Sequence, residues 1–164
     1  MIYMVELGLP DMATATAFFA WYEGHVRNLV GVPGLRTAQR LQAADGAPDF
    51  VQIYSVDGPE VFASAPYKAV GGPVHREVAE WSKQFTHWRR NLFVAADGAD
   101  VRAPGFALGE AVRLRDADMA GGEGLWLRCV GLDGTTAFRA IGGAEGRGLR
   151  VVTGVITAAT SGVA

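Results

Sequence analysis

An imidazole set among aromatic rings is the feature of this sequence best suited to chemistry. In "FFAWYEGHV", Phe18 to Val26, residues Phe18, Tyr22, His25, Val26 and Leu29 recur at helical spacing and make one apolar face with His25 inside it. Histidine exchanges protons near neutral pH, and apolar surroundings favour its neutral, basic form. Tyr22, one turn away, and Tyr54, further along the chain, can each donate a hydrogen bond to a developing enolate or phenolate oxygen. Glu6 stands in an otherwise apolar strand and can orient the imidazole if it faces the same side. Arg40 and Gln52 add polar groups nearby in sequence. Each residue also has a plainer role. His25 can be a structural histidine bonded to a backbone carbonyl, the tyrosines core rings with a hydroxyl reaching water, Glu6 a solvent-facing acid, and Arg40 half of an ion pair.

The remaining candidates lie between Val74 and Leu92. There Val74, Val78, Trp81, Phe85, Trp88 and Leu92 repeat at fours and threes, which predicts one long helix with a wide aromatic face. Trp81, Phe85 and Trp88 suit either a core or the wall of a site for a flat, apolar ligand. His75 and His87 fall beside that face, and His87 can reach the mouth of such a site. The histidines lack zinc-ligand spacing, so no metal is expected. No cofactor is expected either; a haem would need an axial ligand, for which His25 and His75 are the candidates. "GGAEGRG", Gly142 to Gly148, lacks the ending and context of a phosphate loop and reads as a turn. Cys129 reads as a buried, inert thiol.

The elements that must position these residues follow from pattern and punctuation. "IYMVELGL", Ile2 to Leu9, is a short apolar strand stopped by Pro10; Asp11 caps a helix running to Val30, and "GVPG" ends it. "LRTAQRLQAA" and "FVQIYSV" flank the turn "DGAPD" as a hairpin. With a short helix after "DGPEV" and then the long one, the order is β-α-β-β-α up to residue 93. Beyond it, "FALGEAVRLRDAD", "GLWLRCVGL" and "GLRVVTGVITA" read as strands, "TTAFRAIGG" as one or two helical turns, and "SGVA" as a frayed end. "PGLRTAQRLQAADGAPDFVQIYSVDG" and "PGFALGEAVRLRDADMAGGEGLWLRCVGLDG" run alike from Pro-Gly to Asp-Gly. They are either a unit and its truncated copy or two hairpins with similar glycine punctuation. The division expected is residues 1–93 as one α+β unit and 94–164 as a β-rich part packed on the same sheet or a degenerate second unit.

Bulk composition narrows the setting. The chain has 164 residues, 49% hydrophobic and 20% charged, enough to bury a core without disulfides or metals. The net charge of −2 and the mixing of signs argue against a nucleic-acid partner. A single cysteine suggests a reducing, cytoplasmic setting. The N-terminal stretch has no basic region, Glu6 and Asp11 interrupt its apolar run, and no segment reaches the ~18 apolar residues of a membrane span.

The stretch from Phe18 to Val70 resembles the dimeric α+β-barrel superfamily, most closely its EthD-like members. The resemblance is carried by Trp21, Tyr22 and His25 on the first helix, Pro33-Gly34 before the second strand, and Arg40 late in that strand. It continues through Gly46 to Pro48, Ile53-Tyr54, Pro59 to Val61, Ser64 and Tyr67. The match as a whole covers roughly the first 90 residues, a little over half of the chain. One departure is Gly24, where the family often has an acid immediately before the histidine; here Glu23 stands one step earlier. The resemblance implies a ferredoxin-like fold, a four-stranded antiparallel sheet with helices on one face, whose other face pairs with a second subunit as a barrel. A homodimer is therefore expected, unless residues 94–164 cover that face from within the chain.

The resemblance also implies a small-molecule cavity between the sheet and its helices. It would gather His25, Tyr22, Tyr54 and Glu6 as catalytic residues, with Phe18, Arg40, Gln52, Trp81, Phe85, His87 and Trp88 as the substrate-binding wall. Two functions fit. One is a cofactor-independent enzyme that moves a proton on a small, partly apolar carbonyl or phenolic substrate, with isomerisation, cyclisation, lyase chemistry and oxygenation all open. The other is a non-catalytic binding or accessory protein, for which a dry, tight cavity with no acid within reach of His25 is expected.

Overall fold

The first strand explains the architecture. Every residue of β1 (Ile2–Gly8) is buried, because the strand is covered on both faces. Tyr3, Val5 and Leu7 belong to one apolar core with the helices, whereas Ile2 and Met4 belong to a second core on the opposite side. A strand with two dry faces has no need of polar alternation. The computed structural model describes residues 1–158, so the "SGVA" end lies outside the described residues.

Asp11 caps α1 (Met12–Val30), its Oδ1 accepting from the Thr14 amide at 2.7 Å. After Gly31 to Gly34 come β2 (Leu35–Ala43) and β3 (Asp49–Val56), the expected hairpin. A 3-10 turn (Pro59–Ala63), α2 (Ala65–Val70) and α3 (Arg76–Ser82) lead into β4 (His87–Ala95). The long helix predicted from Val74 to Leu92 is therefore one seven-residue helix and a strand. The rest of the described chain is β5 (Ala111–Ala117), β6 (Leu125–Leu132), β7 (Phe138–Ile141), β8 (Arg147–Val151) and β9 (Ile156–Thr157). The helical turns expected in "TTAFRAIGG" are thus strand β7, and the single final strand expected is two, β8 and β9.

These strands form a closed, antiparallel barrel within an α+β fold. The order is β3-β1-β4-β6-β7-β5-β8-β2, and β2 pairs back onto β3; β9 adds to β2 beyond the end of β8. Closure leaves no open edge among the eight strands. The interior is filled by Ile2, Met4, Leu41, Val51, Ile53 and Phe93 from the first four strands and Val112, Leu114, Leu127, Ile141, Leu149 and Val151 from the next four. The sheet face that a second subunit was expected to cover is covered by the chain's own β5 to β8.

Among the described residues, helices lie only over the outer face of the β1–β4 half. Among the described residues none follows β4, and the outer face of β5–β8 carries exposed Arg113, Arg128 and Arg150. The two halves nonetheless repeat one strand order. In each, the second strand lies beside the third, then the first, then the fourth. Residues 118–124 and 142–146 make the crossings that helices make in the first half. The two similar stretches read from sequence fall on β2–β3 and β5–β6. Since β5 and β6 do not pair with each other, that similarity aligns strands that are not equivalent.

Candidate active site

The space between the helices and the outer face of β1, β3 and β4 narrows to a cavity of about 40 Å³, room for about one to three water molecules. Strand alternation aims Tyr3, Val5 and Leu7 from β1, Tyr54 from β3, and Trp88 and Arg90 from β4 at it. Helix α1 closes it with Phe18, Trp21, Tyr22, His25 and Leu29, spaced three and four apart on one face. Tyr67 of α2, Trp81 of α3 and Phe85 complete the wall. All four tyrosines of the chain thus line one small space.

Stacking fixes the rings. Phe18 lies on Tyr22 with centroids 4.7 Å apart, and Trp21 lies on His25 at 4.8 Å and 21°. The Trp21 indole N–H donates to Glu77 Oε2 at 3.0 Å, which holds the stack in place. The Tyr22 and Tyr54 hydroxyls are 3.2 Å apart. Two hydroxyls sharing one hydrogen bond leave one O–H to donate elsewhere.

Burial sets the protonation states. His25 is only 8% exposed. Desolvation, then the charge of His75, pushes its pKa down to about 4, against a weaker upward pull from Glu77. Burial pushes Tyr22 up to about 12, with the Tyr54 hydrogen bond and the Arg40 charge pulling back. Tyr54 and Tyr3 are raised well above the usual phenol value, again mainly by burial. At neutral pH the cavity therefore holds a neutral imidazole and protonated phenols. That set can accept a proton at His25 and donate hydrogen bonds to the anion left behind.

The sequence-predicted residues divide by strand face. His25, Tyr22, Tyr54, Phe18, Trp81, Phe85 and Trp88 line the cavity. Glu6 does not. It points into the barrel with Met4, and its Oε1 lies 2.6 Å from Nη1 of Arg139, so it cannot orient the imidazole. Arg139 is 2% exposed and also donates to Asp116 from Nε at 2.6 Å and from Nη2 at 2.9 Å. Burial pulls its pKa down, but these two carboxylates outweigh burial and hold it above the usual value. His87 is opposite Gly8 in the register, on the barrel side of β4, with Nδ1 3.8 Å from Asp49 Oδ1; it does not reach the cavity. Arg40 and Gln52 are cross-strand neighbours outside the cavity wall. The Arg40 guanidinium covers the Phe19 ring at 3.8 Å and lies 4.0 Å from Glu23.

Sequence reasoning left Tyr3, Tyr67 and Arg90 out of the site. The spacing of Tyr3 with Val5 and Leu7 carried the signal for the first. Arg90 was hidden by the helical reading of its segment, although it alternates with Trp88 and Leu92. Arg90 is tied to Asp133, Nη2 to Oδ1 at 2.9 Å, and its charge opposes the burial of Tyr3 and Tyr67. Among the described residues no group of three or more His, Cys, Asp or Glu is placed to hold a metal ion, and no helix is long and apolar enough to cross a membrane.

No protein-family model matches the chain, and no curated protein sequence matches it. Among solved structures, the chain is similar to a crystal structure of an anthrone oxidase-like protein. The identity is 11% and the TM-score 0.49, over 98% of this chain and 73% of that one.

Proposed function

We propose that the chain is a cofactor-independent enzyme that moves a proton on a small, partly apolar carbonyl or phenolic compound. One observation carries the reading: a buried, neutral imidazole and a pair of buried phenol hydroxyls face the same aromatic cavity. The substrate's acidic C–H or O–H gives its proton to a His25 ring nitrogen. The electron pair stays on the substrate as an enolate or phenolate, whose oxygen takes the free O–H of the Tyr22–Tyr54 pair. The anion raises the basicity of the imidazole beside it, which offsets the low pKa of the empty site. Isomerisation, cyclisation, lyase chemistry and oxygenation share this first step. A cavity of about 40 Å³ is too small for such a substrate, so entry requires the wall to give, and the half-buried rings of Trp81, Phe85 and Trp88 are the part of the wall nearest solvent. The fold part of the proposal is a ferredoxin-like α+β barrel, supported by the repeated strand order of the two halves.

The test is turnover of a carbonyl or phenol found by ligand screening. His25→Ala is expected to lower kcat by at least about a hundredfold, and Tyr54→Phe by less, because Tyr22 retains its hydroxyl. Unchanged turnover in His25→Ala overturns the mechanism. A second reading, a non-catalytic binding protein, is favoured by the tightness of the cavity and by the turning of Glu6 away from His25. It is distinguished by a ligand that binds beside Trp21 and is recovered unaltered.

A further inference from the structure

His25 lies between two spaces. Inward is the aromatic cavity. Outward is a surface depression of about 370 Å³ lined by Trp21, His25, Asn28, Val70, His75 and Glu77. Trp21 and His25 belong to both walls. The His75 ring is 6.1 Å from His25, centroid to centroid. Its Nδ1 is buried with no hydrogen-bond partner among the described residues, although its backbone is the N-cap of α3, where a side chain often bonds the helix. At a centroid separation of 6.1 Å no pair of ring nitrogens can bond directly, and the gap is of a length that a single bridging water could span.

We propose that His75 carries protons between His25 and solvent, so that the two imidazoles form a relay through the helix layer. The inference rests on the proton-transfer reading of His25 and adds the route by which the proton leaves. A proton taken up on one ring nitrogen of His25 leaves from the other, through the bridging water, to His75; the second His75 nitrogen releases a proton to the depression. No electrons move; each imidazole ends neutral in its other tautomer, and the reverse passage, in which His25 returns a proton to the substrate and draws one in from solvent through His75, resets both rings. The charged and titratable groups facing the pair are Glu77, whose carboxylate is bonded to Trp21, and Tyr22, Tyr67 and Arg90 around the cavity. The Glu77 carboxylate on the relay side favours the passing cation, while Arg90 is drawn away by Asp133. The stack of Trp21 on His25 keeps the relay's inner ring from turning.

The experiment needs no substrate. The exchange of the His25 ring N–H with water is measured by NMR on the full-length chain labelled at histidine nitrogen. His75→Ala and His75→Gln are each expected to slow that exchange by roughly an order of magnitude or more. Free imidazole, which fits the depression, is expected to restore the rate in His75→Ala; a purely structural histidine is not rescued in this way. Exchange unchanged in either variant, or slowed without rescue by imidazole, overturns the relay. Because the readout is exchange and not turnover, the relay can fail while His25 remains the base. Failure of the base itself is read separately, from His25→Ala turnover.

Discussion

The environment of His25 makes the stability of the fold depend on pH in a definite direction. The imidazole has a pKa of about 4 in the folded chain against 6.5 when unperturbed. Above pH 6.5 it is neutral in both states and its contribution is complete. Below that, the unfolded chain takes up a proton that the folded chain refuses, and stability falls until the pH passes through the folded value. The loss across this window is on the order of 3 kcal/mol. Urea unfolding of the wild type against His25→Phe is expected to show that the variant lacks this part of the slope. At this scale much of the site was legible. The spacing of Phe18, Tyr22 and His25 announced a shared helix face, and Tyr54 alternates with Gln52 and Val56. Glu6 was misplaced for a physical reason: a strand buried on both faces gives no polar alternation to say which side its one acid takes.

Connections between elements carry their own constraints. Gly34, between α1 and β2, has φ +93°, and a Cβ there would run into Cγ2 of Val61. Its carbonyl accepts from the Asp57 amide at 2.8 Å, so the turn cannot relax without loosening the end of β3. Gly34→Ala is expected to cost about 2 kcal/mol by thermal or urea unfolding, from left-handed backbone strain and crowding together. The misread segment from Val74 to Leu92 shows why elements were harder to read than residues. Trp88 and Leu92 are four apart, and four residues restore the same face both on a helix and on a strand. What separates the two is partnership. The edge of β1 left open by β3 is filled by β4, residue against residue from Ile2–Phe93 to Gly8–His87, and that pairing overrides local pattern. The same applies to Phe138–Ile141, whose four residues lie between β5 and β6.

The closed barrel also changes the expected behaviour of the whole molecule. The case for a homodimer was an apolar sheet face with nothing on it, and here β5 to β8 lie on that face. Light scattering of the intact chain is expected to give the mass of one chain. A fragment ending after β4, by contrast, bares Ile2, Met4, Val51, Ile53 and Phe93 and is expected to self-associate; a monomeric fragment would count against this account. The α+β class and the first three strands were readable from sequence; β4 was not. The closure was not, because the second half is written in short, glycine-broken strands whose partners are distant in the chain.

The buried pairing of Glu6 with Arg139 has a consequence for how the protein comes into being. Synthesis delivers the acid on β1 and its counter-charge only much later, on β7. Until then the carboxylate cannot leave water without a large penalty. A nascent chain therefore cannot seal its barrel before β7 has been made, and that closure is a slow step typical of sheets joined across long stretches of sequence.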